Sequence, residues 1–471
     1  MHGFVGRERE LAALDRMVDR IALGGRAGRP GRALLVRGRR RVGKSRLVEE
    51  FLDRSGLPHL YFTASALPST DADLDMFVEA GRTSSLPRSD RFDGQAPRTW
   101  DAALTLLASA VPEDRPSVVV LDELPYLIAN DPGLEGTLQK VFDRELSRRP
   151  VLLVGIGSDL AMMEALDDYG RPFHQRATEM VVSALTPRDV ADMLQLPAAD
   201  AVDAYLVSGG LPLVLDEWQV GATAAHHLAD TVADPTSALL VSGERALAAE
   251  FPPDSHARRV LGAIGSGERS FSLIARAAGG MPQASLTRAL ELLTAKRMVD
   301  AEIPLSIRPS RETRYSVADP HLRFWLAFLG PHLPEIERGR GDLTLQRITR
   351  SWTTWRGGAV EPVVREALRR VPEHLPPETA VVGGYWTRSN DPQIDIVGAD
   401  RGPVANTITV VGSVKWHENR PFDMHDLGRL AHHRDLLPGA GPETPLLVVS
   451  RTGSTVEGPT VLTADDVVAA Y

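Results

Sequence analysis

The stretch RALLVRGRRRVGKSRLVEEFL, residues 32 to 52, restricts the possible fold more than any other part of the chain. It runs from an apolar β-type segment through Gly38, Gly43, Lys44 and Ser45, spaced as GxxxxGKS, into an amphipathic helical pattern. Glycines at these places let the backbone turn its N–H groups inward around a phosphate, while Lys44 adds mobile charge and Ser45 a magnesium ligand. Arg39, Arg40, Arg41 and Val42 complete the loop and Arg46 follows it, so the expected ligands are ATP and Mg2+. A loop of this kind needs a strand before it and a helix after it, which makes this part of the chain α/β with a parallel sheet.

A second apolar run, PSVVVLDELPYLIAN, ends its strand in Asp122 and Glu123. A buried parallel strand delivers such residues to the carboxyl edge of the sheet, the same edge as the phosphate loop. Asp122 is expected to hold the magnesium through water, and Glu123 to orient and deprotonate an attacking water. The alternative role for both is N-terminal capping of the next helix. A third run, RPVLLVGIGSDL, places the Ser158 hydroxyl just past a strand end, where it can sense a γ-phosphate. Its GIGSDL imitates a dinucleotide fingerprint but has Leu160 where the third glycine belongs. Arg171 and Arg176 are the nearest candidates for a cation at the transition state, within one chain or toward a neighbouring protomer.

Composition bounds the remainder. A chain of 471 residues allows roughly two to four domains. With 53 Lys and Arg against 62 Asp and Glu, the net charge of −9 argues against an extended nucleic-acid surface but leaves room for local basic patches. The absence of cysteine removes disulfides, thiolate nucleophiles and Cys-ligated metals. The opening MHGFVGRERE has no basic-then-apolar leader, and no apolar run reaches the ~18 residues of a membrane span. A cytoplasmic location is therefore expected, with no membrane partner.

FVGREREL (4 to 11), the phosphate loop, VVVLDELPYL, the post-strand serine and SGGLPLVL (208 to 215) occur in an order that resembles archaeal and bacterial ATPases of the AAA/STAND type. The resemblance covers about the first half of the chain. It implies an ATP-hydrolysing P-loop NTPase core of ASCE/AAA type over residues 1–185 and a helical lid over 186–245. It also implies that Val5, Gly6 and Arg7 lie near the adenine, with the Gly209 to Pro212 turn, including Gly210 and Pro212, facing it.

Residues 246–320 show three apolar-periodic helices and a strand pair around an arginine-bearing turn, the pattern of a winged helix-turn-helix. Its second motif helix is expected from Gln283 to Lys296, with Arg308, Arg311 and Arg314 on the wing. Contact with duplex DNA and a purely structural role are both open for this segment. A helical connector, 321–354, follows with DPHLRFW, which the family resemblance links to a C-terminal module of endonuclease-like fold; Phe324, Trp325 and Phe328 read as a core stripe.

Residues 355–471 order themselves as helix, three-stranded meander, helix and strand, which resembles the PD-(D/E)xK nuclease core. By that resemblance Asp395 and Lys415 face a phosphodiester, and Glu361 on the opening helix adds a carboxylate. Ser413 stands where the pattern wants Asp or Glu, and a neutral serine is a weak magnesium ligand. The module is expected not to cut. Two readings of the whole remain: an ATPase acting on nucleic acid or a partner protein, and a STAND-like nucleotide switch working through protein contacts, in either case as a monomer or homo-oligomer. An ATP-coupled nuclease is the further alternative.

Overall fold

Five runs of aliphatic and β-branched residues form one parallel sheet in the computed structural model, which describes residues 3–24, 30–65, 69–158, 160–166 and 176–471. They are β1 (Arg32–Arg37), β2 (His59–Thr63), β3 (Ser117–Asp122), β4 (Val151–Gly157) and β5 (Ala177–Val181), in the order β2-β3-β4-β1-β5. β3 and β4 are buried along their whole length, which is why they read as unbroken apolar runs rather than alternating ones. Placing β4 between β1 and β3 sets the phosphate-loop strand one strand away from the acid-bearing strand. This is the ASCE-type P-loop arrangement, and it belongs to one compact unit, Phe4–Ala184.

The other unit contains Leu185–Tyr471. It opens with helices Pro187–Leu194, Ala198–Ser208, Pro212–Asp216, Ala224–Thr231 and Ala238–Glu250. Thr186 and Asp189 form a reciprocal capping box that fixes the first of these. Helices His256–Gly265, Phe271–Ala277 and Gln283–Ala295 then lead to an antiparallel hairpin, β6 (Val299–Glu302) and β7 (Arg314–Val317). Phe324, Trp325 and Phe328 are buried in the turn of helix that follows.

A second sheet has the order β12-β11-β10-β9-β8, with β8 (Val381–Trp386), β9 (Gln393–Ala399), β10 (Ile408–Lys415), β11 (Leu446–Ser450) and β12 (Thr460–Leu462). β8, β9 and β10 form an antiparallel meander, and β11 joins in parallel after the crossover helix Met424–Leu436. The position read as a boundary, 354/355, lies inside a single helix, Gly341–Arg370. Gly357, Gly358 and Pro362 are poor helix residues, but Ala359, Val360, Val363 and Val364 are buried around them, so packing overrides local propensity.

Val202 and Leu206, on the helix expected in the lid, share one hydrophobic core with Val360, Val364, Leu447 and Val467. Burying two such side chains contributes roughly 1.5–3 kcal/mol each. The lid helix and the C-terminal sheet thus form a common packed body instead of two separate modules.

Candidate functional site

The loop after β1 is shaped by close backbone approach. A Cβ at Gly38 would lie 2.2 Å from the Val182 carbonyl, and Gly43 has φ +90, so both positions demand glycine. Lys44 begins the helix Lys44–Ser55 and donates from Nζ to the carbonyls of Gly38 and Arg39, each at 2.9 Å. Burial pushes its ammonium down to about 8, with the charges of Glu123 and Asp122 opposing that shift. Three of the non-glycine residues with positive φ among the described ones, Arg7, Arg41 and Glu123, lie at this edge of the sheet. Such conformations cost about 1–3 kcal/mol each and persist where surrounding contacts hold them.

Asp122 is buried at the end of β3 and accepts from the Tyr61 hydroxyl at 2.8 Å and from the Glu123 backbone N–H at 2.9 Å. Ser45 lies beside the same Tyr61 phenol, so the loop serine and the strand acid flank one tyrosine. Burial beside Asp122 raises the Tyr61 hydroxyl well above its ordinary value and keeps it a donor. The chemistry of this set, a hydroxyl, an acid and a buried lysine around a glycine loop, fits a magnesium-bound polyphosphate. The Ser158 hydroxyl donates to Glu123 Oε1 at 3.2 Å, so it orients the acid that the sequence reading assigned to water activation. Sequence reasoning missed Tyr61; its only signal was a polar residue alternating with Thr63, the register partner of Asp122.

The other expected residues fall in different places. Arg7 is buried and donates to the carbonyls of Val42, at 3.0 Å, and Ser183, clasping the phosphate loop to the chain after β5, and Val5 and Gly6 precede it half-buried and buried. Arg40 donates to the Tyr126 hydroxyl at 3.0 Å, and exposed Arg46 pairs with Glu50 at 2.9 Å along its own helix. Arg176 requires a correction as a cation for this site within one chain. Ala177 pairs with Ala33, so Arg176 sits at the amino edge of the sheet, where it binds Asp143 at 3.1 Å. Five residues of strand separate that edge from the loop, about 16 Å at ~3.3 Å per residue. Arg171 lies outside the described residues. Gly210, at φ +68, lets its carbonyl accept from the Leu185 N–H at 2.9 Å, where a Cβ would lie 1.9 Å from the Leu185 carbonyl; Pro212 starts the next helix.

In the C-terminal sheet Ser413 and Asp395 are brought together: Ser413 Oγ donates to Asp395 Oδ2 at 3.0 Å and the Val414 N–H to the same oxygen at 2.9 Å. Lys415 does not pair with Asp395. Its ammonium lies 3.2 Å from Asp426, a buried carboxylate also held by Arg420 at 3.0 Å and Arg429 at 2.9 Å. The lysine expected to face a phosphodiester with Asp395 thus reaches the crossover helix instead. Glu361 is pushed up to about 7, first by burial and then by the Asp395 charge, while Arg365 opposes the shift from 3.9 Å. Among the described residues no group of three or more His, Cys, Asp or Glu side chains is placed to hold a metal ion.

The wing also differs from expectation. Leu305 is buried in the core of the C-terminal sheet, and its N–H donates to the Gly384 carbonyl at 2.9 Å. Arg314 lies 4.5 Å over the Trp386 ring and donates to Asn390 and to Gln393, the latter at 3.2 Å, so it is not a solvent-facing wing residue. Arg308 and Arg311 are exposed, as are Gln283 and Arg288 on the second motif helix, whereas Lys296 is engaged with Glu250 at 2.6 Å.

Residues 325–426 match a family described as archaeal and bacterial proteins of unknown function, DUF234. An uncharacterised protein of Methanocaldococcus jannaschii is 23% identical over 445 residues, covering 93% of this chain and 92% of the relative. Among solved structures, a Walker-type ATPase of Pyrococcus abyssi is 19% identical with a TM-score of 0.48, over 69% of this chain and 96% of that one. The ORC2 protein of Aeropyrum pernix, solved with ADPNP and ADP, is 17% identical with a TM-score of 0.45, over 74% of this chain and 97% of that one. The class of fold follows from the sheet order and the glycine loop rather than from these similarities. No helix among the described residues is long and apolar enough to cross a membrane.

Proposed function

We propose that the chain is an ATPase whose nucleotide state drives a conformational change acting on nucleic acid or a partner protein, with a C-terminal nuclease-like module that binds without cutting. The observation that carries the reading is the grouping of Lys44, Ser45, Asp122, Glu123 and Ser158 around one loop. Lys44 would release its two loop carbonyls to meet the phosphates, and Glu123, already oriented by Ser158, would take the proton of the attacking water. Ser45 and Asp122 would hold Mg2+, which supplies neutralisation of phosphate charge. That the helix Ala198–Ser208 shares its core with the C-terminal sheet supports concerted movement of these elements.

A second reading, a slow nucleotide switch working through protein contacts, is favoured by the wing's burial against the C-terminal sheet, which leaves Arg308 and Arg311 as its exposed basic residues. Hydrolysis rates separate the two. The ATPase reading expects turnover of about 1 per second or faster once the right partner is present, and duplex DNA is the first partner to add. Lys44→Ala should abolish MgATP binding, while Glu123→Gln should bind and fail to hydrolyse. Full hydrolysis by the Gln variant would remove Glu123 from the reading.

A further inference from the structure

A cavity of about 640 Å³ opens within the unit Leu185–Tyr471, walled by the first and last elements of the winged-helix segment, one face of the helix Gly341–Arg370 and the ends of β8 and β9. Its volume falls in the range of small-ligand sites, roughly 300–1,000 Å³. The P-loop reading does not use it.

The lining is strongly cationic. Arg269, Arg314, Arg323, Arg350 and Arg365 all contribute, against the carboxylates of Glu302 and Glu361. Arg365 lies 3.3 Å from Glu302 and 3.9 Å from Glu361, so it serves both acids. Arg323 donates to the Val317 and Ala359 carbonyls, and Arg314 is fixed over Trp386. These contacts leave the guanidinium charges of Arg314 and Arg323 uncompensated by any carboxylate within ion-pair distance among the described residues. Arg269 and Arg350 are exposed and have no side-chain hydrogen bond or ion pair among the described residues. Two guanidinium forks with no protein partner among the described residues therefore line the cavity.

The helix that forms one wall is shaped around this. Gly358 disfavours a helix interior, yet a Cβ there would lie 2.7 Å from Arg269 Nη2, so the glycine makes room for that guanidinium. Arg350, Thr354, Gly358 and Glu361 recur at three- and four-residue steps, which puts them on one helix face, with Trp355 at its side. Trp355, half-buried and packed on Trp352, brings an aromatic ring to the same wall. Guanidinium forks recognise phosphate in a bidentate manner, and an aromatic wall suits a nucleobase.

We infer that this cavity is a binding site for a nucleoside 5′-phosphate group, supplied either as a free nucleotide or as the terminal nucleotide of a single strand. A duplex is too wide to enter a space of this size. Arg269 and Arg350 would hold the phosphate and Trp355 would carry the base.

The test uses the full-length Lys44→Ala chain, in which the proposed P-loop site is disabled. It is titrated by calorimetry with 5′-AMP, and by fluorescence anisotropy with a 3′-labelled tetranucleotide bearing or lacking a 5′-phosphate. Binding of a phosphorylated probe should weaken roughly tenfold or more in Arg269→Ala and in Arg350→Ala, and the probe lacking phosphate should bind no better than those variants. Because neither arginine is buried or partnered, both variants should melt like the parent. Arginine-dependent binding of AMP would identify a free nucleotide as sufficient, and binding of the phosphorylated strand alone would identify a strand end; either supports the inference. No binding of either phosphorylated probe, or binding unaltered when Arg269→Ala and Arg350→Ala are combined, overturns it. Failure of the wild-type chain to bind ATP would instead count against the P-loop reading and leave this result standing.

Discussion

Asp203→Ala should destabilise the unit Leu185–Tyr471 more than most single substitutions, because Asp203 is the shared acceptor of one buried and one half-buried guanidinium. Arg356, with no solvent exposure, donates to Asp203 at 2.7 Å; Arg451 donates to it at 3.0 Å, and the Trp416 indole at 3.2 Å. Removing one partner of a buried pair costs about 3–5 kcal/mol, since the other charge stays desolvated. Each arginine keeps some acceptors: Arg356 has Glu418 at 2.8 Å and the Trp416 carbonyl at 3.1 Å, and Arg451 has Asp200 at 2.7 Å and the Ala199 carbonyl at 2.8 Å. These place the expected loss at the low end, about 3 kcal/mol. For a unit of this size that is a fall in Tm of roughly 6–12 °C. Six of the seven tryptophans lie in Leu185–Tyr471, Trp100 being the exception, so intrinsic fluorescence during a thermal scan reports on that unit. Asp203→Asn, which keeps an acceptor but no charge, should fall between the two. A shift under about 2 °C for the Ala variant, equivalent to less than about 1 kcal/mol, would refute the claim that this carboxylate compensates the two arginines.

Three further outcomes can be measured. Lys44 is pushed down to about 8 by burial, so the free chain carries the ammonium below that pH and must take up a proton to bind phosphate above it. Affinity for MgATP should be level below pH 7.5 and fall toward tenfold per pH unit above about 8; level affinity to pH 9.5 by calorimetry would contradict this. Glu361 holds its proton in the folded chain up to about 7, whereas the unfolded chain ionises near the ordinary carboxylate value. The folded state therefore binds more protons in that window and loses stability as pH rises through it, so Glu361→Gln should match the parent's Tm at pH 5 and exceed it at pH 8. Equal melting at pH 8 would remove the burial argument. The chain should leave plasmid and single-stranded substrates intact in magnesium or manganese, with or without ATP, because Ser413 bonds Asp395 where the pattern wants a second carboxylate. Nicking that vanishes in Asp395→Ala would make the protein a nuclease.

What the sequence alone determined was carried by short spacings. GxxxxGKS between a strand and a helix, and an acid pair closing an all-apolar strand, constrain the backbone within about twenty residues, and the β2-β3-β4-β1-β5 sheet follows the pattern they demand. The helix, meander, helix and strand order of the C-terminal part was legible for the same reason, although the three-residue edge strand β12 was too short to show. Side-chain partnership was not legible. Lys415 chose Asp426 over Asp395, Arg314 turned onto Trp386, and Arg356 found Asp203 across 153 residues. The arginines of the cavity come from segments as far apart as Arg269 and Arg365. Local periodicity specifies which face of an element is buried; which charges meet depends on how distant elements pack, and only the tertiary structure decided that.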